Sequence, residues 1–265
     1  MKRYIKFLAT SALFILLYSC TETIDIDFND FDNQYVIEGN VSTDEAPLIS
    51  ITSTINFDEP NEFPGVPGAR VTLTDDLGNI DVLDEISTGL FSKDGFIGQE
   101  GRTYSLSVEL NNELFSSVCK IPNQVMLDSI SIEKEEASIW SDVDADSIYN
   151  VFVYFQDPIE VDNYYFFVEY VNGEQVRSFP MSDEYSDGEY LDWELHTHDR
   201  ELNVGDVVTV EMRCISEDVF EYLRDLDQDN GMSATPTNPI TNIQNATLGY
   251  FSAHTSQRLE LIIEE

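Results

Sequence analysis

The feature that most constrains the fold is a long succession of short runs in which β-branched and aromatic residues alternate with polar ones. Period-two alternation puts one set of side chains on each face of an extended chain, the mark of a half-buried strand. Strands are predicted over 35–40, 47–57, 69–74, a segment after the Asp75-Asp76-Leu77-Gly78-Asn79 turn, 89–91, 101–108 and 114–121. Further runs predict strands over 125–133, 148–155, 164–171, 175–179, 190–195, 207–215, 248–253 and 258–263. Asn111-Asn112 marks one hairpin turn. Asn172-Gly173 marks another, since a type I′ turn needs positive φ at both central residues. Pro60, Pro64 and Pro67 with Gly65 and Gly68 make 58–68 a loop, because proline has no N–H to give a central strand.

One segment has a different period. Ser216 reads as an N-cap, Glu217 and Asp218 sit in the first turn, and Val219, Phe220, Leu223 and Leu226 recur at helical spacing. A short amphipathic helix is expected over 216–227, followed by a Gly-, Pro- and Asn-containing loop over 228–245. Pro122-Asn123 separates the two halves. The predicted fold is mainly β, with two β-sandwich-like domains at 34–122 and 123–265, the second carrying the helix.

The first nineteen residues read as an address. Lys2, Arg3 and Lys6 are basic, and Phe7 to Tyr18 is nearly all apolar, too short for a spanning helix of ~20 residues. Leu17-Tyr18-Ser19-Cys20 resembles the lipobox of bacterial lipoproteins, although Tyr18 is bulkier than usual there. The resemblance implies cleavage before Cys20, acylation (palmitate among the chains) at Cys20, and an acidic tether over 20–33 with an alternating Ile24-Asp25-Ile26-Asp27-Phe28 segment. One acyl chain holds a protein reversibly; two or three make the anchor permanent. Thr21 in place of Asp argues against retention at the inner membrane. The expected location is the outer membrane, on its periplasmic or its outer face.

Charge narrows the function classes. The chain carries 51 acidic and 13 basic residues, a net charge of −38, which becomes −41 without residues 1–19. That balance excludes a nucleic-acid binder, since phosphate affinity comes from Lys and Arg. Cys119 and Cys214 lie in separate apolar runs; two buried free thiols are favoured over a disulfide.

The run from Pro67-Gly68-Ala69-Arg70-Val71-Thr72-Leu73-Thr74-Asp75, through Gly89-Leu90-Phe91, to Gly101-Arg102-Thr103-Tyr104-Ser105-Leu106 resembles a prealbumin-like or carboxypeptidase-regulatory-like sandwich, usually a structural or adhesive module. Gly205-Asp206-Val207, Tyr222-Leu223, Asn238-Pro239, Asn242-Ile243, Asn245-Ala246 and Leu248-Gly249-Tyr250-Phe251 resemble the family known as domain of unknown function 4249. That resemblance covers essentially the whole chain after Cys20. It implies an outer-membrane lipoprotein, often encoded near TonB-dependent transporters, with an accessory role in nutrient uptake.

Candidate chemistry is sparse. Asp142, Asp144 and Asp146, and Asp225, Asp227 and Asp229, alternate as a calcium loop begins, but neither run has the Gly and Glu positions of an EF-hand. Solvated acidic turns are the preferred reading. His196, His198 and Asp199 offer two imidazoles and a carboxylate without a nearby third histidine. No nucleophile elbow, HExxH or phosphate loop occurs. Asp128-Ser129-Ile130 and Asp146-Ser147-Ile148 fit an Asp-Ser-aliphatic O-glycosylation pattern at Ser129 and Ser147. Tyr149, Tyr154, Tyr164, Tyr165, Tyr170 and Trp193 could line a groove, though strand spacing favours a core. The expectation is a non-enzymatic binding or accessory lipoprotein with no metal and no cofactor, partnered by the membrane and a TonB-dependent transporter. The alternative is a structural or adhesive envelope protein without a small-molecule ligand.

Overall fold

In the computed structural model, residues 33–56, 63–136, 147–195, 202–229 and 238–264 are described. They hold sixteen strands and one helix. The first eight strands are β1 (Tyr35–Ser42), β2 (Leu48–Ser53), β3 (Arg70–Asp75), β4 (Ile80–Val82), β5 (Asp84–Ser87), β6 (Leu90–Ser92), β7 (Thr103–Leu110) and β8 (Glu113–Lys120). They are followed by β9 (Leu127–Glu136), β10 (Ser147–Gln156), β11 (Tyr164–Val171), β12 (Glu174–Ser182), β13 (Tyr190–Leu195) and β14 (Val207–Ile215). Helix α1 (Glu217–Asp229), β15 (Leu248–His254) and β16 (Gln257–Ile262) close the chain. No helix among the described residues is long and apolar enough to cross a membrane.

Four sheets form two sandwiches. Sheet β15-β1-β2-β6-β5 faces β4-β3-β7-β8, and sheet β13-β10-β9 faces β12-β11-β14-β16. Alternation drives this pairing. In β7, Tyr104, Leu106, Val108 and Leu110 point inward while Thr103, Ser105, Ser107 and Glu109 point outward. The first core gathers Ile37, Ile49, Ile51, Leu73, Leu106 and Phe91; the second gathers Val151, Val153, Phe155, Tyr165, Phe167 and Val210. Each large side chain so buried contributes about 1.5–3 kcal/mol.

The turns follow their residues. Asn172 and Gly173 have φ of 53° and 83°, and Asn111 and Asn112 have 50° and 67°, so both hairpins close with positive φ at both central residues. The strands expected over 164–171, 190–195 and 207–215 are found at those bounds. β5 is an addition to the sequence reading. All four of its residues are exposed, so it carries no alternation to detect.

The division of the chain at residue 122 describes its order but not its packing. β15, from the second half, pairs in parallel with β1 along seven residues. The buried face of α1, with Val219, Phe220, Tyr222 and Leu223, also belongs to the first core. The chain then crosses back, because β16 pairs with β14 in the second sandwich. Sandwich one is therefore completed by chain from 217–254.

The β1–β15 seam depends on Gly249. Its φ is +97°, and a Cβ built there would stand 1.9 Å from the carbonyl oxygen of Ile37. The glycine is needed for backbone approach, beyond the packing beside aromatic residues that its neighbours imply. Gly249→Ala should cost at least about 3 kcal/mol through combined strain and clash, read as a lowered urea midpoint. A variant within 1 kcal/mol, as an order-of-magnitude bound, would mean that the seam relaxes freely.

Candidate functional site

Two loops meet at one end of the second sandwich, 157–163 between β10 and β11 and 183–189 between β12 and β13. They bring together Asp157, Asp183 and Asp187, with one oxygen of each within 4.8 Å of the others. Asp157 and Asp183 are buried and Asp187 is exposed. The loops are stitched by their own carboxylates. Tyr165 donates its hydroxyl proton to Asp157 Oδ1, and the Gly188 N–H donates to Asp157 Oδ2 at 2.9 Å. The Asn163 N–H donates to Asp183 Oδ2 at 2.8 Å, and the Glu160 N–H to Asp187 Oδ1 at 2.8 Å. The Asp157 N–H in turn donates to the carbonyl of Glu189 at 3.0 Å.

These donors account for the arrangement by hydrogen bonding. Burial pushes the Asp183 carboxyl above its usual range, and neighbouring Asp157 adds to the effect. Burial likewise raises the Tyr165 hydroxyl, which keeps it a donor to Asp157. Calcium takes six to eight oxygens. Four of the six oxygens here already accept from Tyr165, Gly188, Asn163 and Glu160. The cluster therefore reads first as a clamp on two loops.

A second buried network lies on β14. Glu211, 1% exposed, accepts from Arg213 Nε at 2.5 Å, Arg258 Nη2 at 3.0 Å and Tyr170 Oη at 3.0 Å. The Ser256 hydroxyl lies 2.9 Å from both Glu211 Oε1 and Asp44 Oδ2. Burial alone would raise the Glu211 carboxyl, but Arg213, Arg258 and Ser256 outweigh it and hold it at about 2. His254 is buried beside this network, its Nδ1 2.9 Å from Ser252 Oγ. Burial, and then the charge of Arg213, lower it to about 3, so its ring is neutral at physiological pH.

The residues singled out from the sequence do not converge. Ser129 is exposed on β9 opposite Tyr154, while Ser147 opens β10 with its side chain outside the described residues. Cys20, Asp142, Asp144, Asp146, His196, His198 and Asp199 also lie outside them. Asp225, Asp227 and Asp229 fall within α1, so the solvated acidic turn preferred there is helix instead. Cys119 and Cys214 are free and buried, and burial raises both thiols. The tyrosines diverge. Tyr165 is core, Tyr149 lines a 750 Å³ groove with Leu261 and Ile263, and Tyr164 lines a separate 300 Å³ hollow with Phe220. Nothing in the sequence signals that Asp157 would join Asp183 and Asp187.

Loop asparagines do what their residue type implies. Asn242 accepts from the Phe251 N–H at 2.9 Å and donates to its carbonyl at 2.8 Å, and Asn245 donates to the Leu114 carbonyl at 2.9 Å.

Two outcomes test these networks. Unfolded His254 takes a proton near 6.5 and folded His254 only near 3, so the unfolded state binds more protons between those values. Stability should then fall as pH falls from 6.5, and Glu211 should add to the loss between 4.5 and 2. Urea midpoints from pH 6.5 to 4.5 should show this slope, and His254→Gln should flatten it; an equal slope in the variant would remove His254 as its source. Tyr165→Phe, which leaves Asp157 short of a donor, should cost about 1–3 kcal/mol in the same assay.

A family model described as "Domain of unknown function (DUF4249)" matches residues 21–260. No curated protein matches. Among solved structures, a DUF4785 family protein from Legionella pneumophila is similar at 11% identity, over 67% of this chain and 52% of that one, with a TM-score of 0.23. The chain thus spans about half the length of that protein.

Proposed function

The chain belongs to the family of domain of unknown function 4249, and from that premise we propose a lipid-anchored, non-enzymatic accessory protein of the outer membrane, working beside a TonB-dependent transporter in nutrient uptake. The observation that carries the reading is Leu17-Tyr18-Ser19-Cys20, which closes a basic start and the apolar run from Phe7 to Tyr18. Acylation at Cys20 would hold the sandwiches at a membrane surface without a spanning segment. The family's usual genetic neighbourhood supports the transporter as partner, as an association between genes.

The described chemistry supports a binding role over catalysis. Both thiols are buried and raised, which disfavours the thiolate a nucleophile needs. His254 is buried and held by Ser252, away from solvent. The carboxylates of the loop cluster are engaged by backbone and tyrosine donors.

Cys20→Ser should move the protein from the membrane pellet to the soluble envelope fraction. A tagged, lipidated chain drawn from its own outer membrane in mild detergent should bring a transporter at near-equal amount. Recovery of the intact lipoprotein alone would sink the accessory reading and favour a free-standing structural or adhesive spacer.

A further inference from the structure

The end of the second sandwich that carries the carboxylate clamp also exposes apolar side chains. Ile159 is 70% exposed, Val161 52%, Tyr185 90% and Tyr190 56%. One exposed apolar residue is ordinary, but Ile159, Val161 and Tyr185 on two adjoining loops, with Tyr190 at the start of β13, make a patch. The loops are fixed against each other. Besides the Asp157, Asp183 and Asp187 bonds, Gly188 lies so close to Ile159 that a Cβ there would come within 2.9 Å of it. Glu160 is held at φ 63° with its N–H on Asp187. A patch ordered in advance loses little conformational freedom when it docks.

The charged residues of both loops are all acidic, while Arg224 of α1 lines the hollow beside Asp162 and Glu184. Glu160, Asp162, Glu184, Asp187 and Glu189 are exposed around the patch, and neither loop contains Lys or Arg. An anionic lipid surface is repelled by such a rim, as is a second copy of a chain with net charge −38. We infer that this tip is the docking surface for a protein partner that presents an apolar hollow rimmed by Lys and Arg. The inference deepens the accessory reading and rests on it for the existence of a stable partner. Opposite charge across the rim steers encounter, while the apolar centre supplies the held contact.

The test uses the full lipidated chain and two double variants, Val161→Ser with Tyr185→Ser, and Glu184→Lys with Glu189→Lys. All four positions are exposed, so matching urea midpoints will show that the variants fold. Each chain is drawn from its own outer membrane in mild detergent, and the partner held by the unaltered protein is quantified. Each double variant should reduce that partner by about tenfold or more. Raised salt should weaken the unaltered complex. A photo-cross-linker at position 185 should join the partner at a Lys- or Arg-rich face. Undiminished recovery in either variant, or cross-linking to lipid or to a second copy, would overturn the tip and leave the accessory role standing. An unaltered chain that recovers no partner would instead overturn both.

Discussion

The parallel pairing of β1 with β15 is the constraint on which the rest of the molecule depends. It joins the first strand described to one from the far end of the chain, from Val36 with Leu248 to Ser42 with His254. Gly249 makes the approach possible, since any side chain there would collide with the Ile37 backbone. Once the seam is made, α1 is brought over the same sheet, where the Tyr222 hydroxyl accepts the Gly249 N–H at 3.2 Å and its ring lies 5.0 Å from that of Tyr250. The chain then passes at once into β16, the second strand-to-strand crossing between the sandwiches after that from β8 to β9.

Electrostatics at that connection work against the general character of the chain. With 51 acidic residues to 13 basic, most carboxylates must rely on water or on backbone donors. At Glu211 two of the few arginines are spent on one buried carboxylate, and Arg258 reaches on to Glu45 at 2.6 Å. Removing one member would leave its partners buried without compensation, and that loss exceeds what the intact pair contributes. Arg258 is partly exposed, so solvent screens its share. The loop clamp at Asp157, Asp183 and Asp187 reaches a similar end without a cation, by giving its oxygens to N–H and O–H donors.

Much of the fold was legible because it is written locally. β11, β13 and β14 carry dense β-branched and aromatic runs, and their bounds follow from alternation and turn residues alone. The Asn172-Gly173 and Asn111-Asn112 hairpins follow from the tolerance of Asn and Gly for positive φ. Non-local partners were not legible. Nothing in Leu248-Gly249-Tyr250-Phe251 says that it joins a sheet begun at Tyr35, and nothing at Asp157 says that the loop from Asp183 will close over it. The side chains of α1 show helical spacing but not which core they enter. β5 carried no signal at all, since an edge strand exposed on both faces has no pattern to read.

The threading of β15 has a consequence in time. A chain made or delivered from its amino end presents β1 to β8 first, and their sheets lack one edge until Leu248–His254 arrives. The Thr43–Ser256 contact spans 213 positions, so closing it means closing a loop of that length. Until then the first half waits with an unpaired edge on β1, the kind of edge that recruits strangers. The protein's most vulnerable interval is therefore its own maturation, and Leu248–His254 is the segment that ends it.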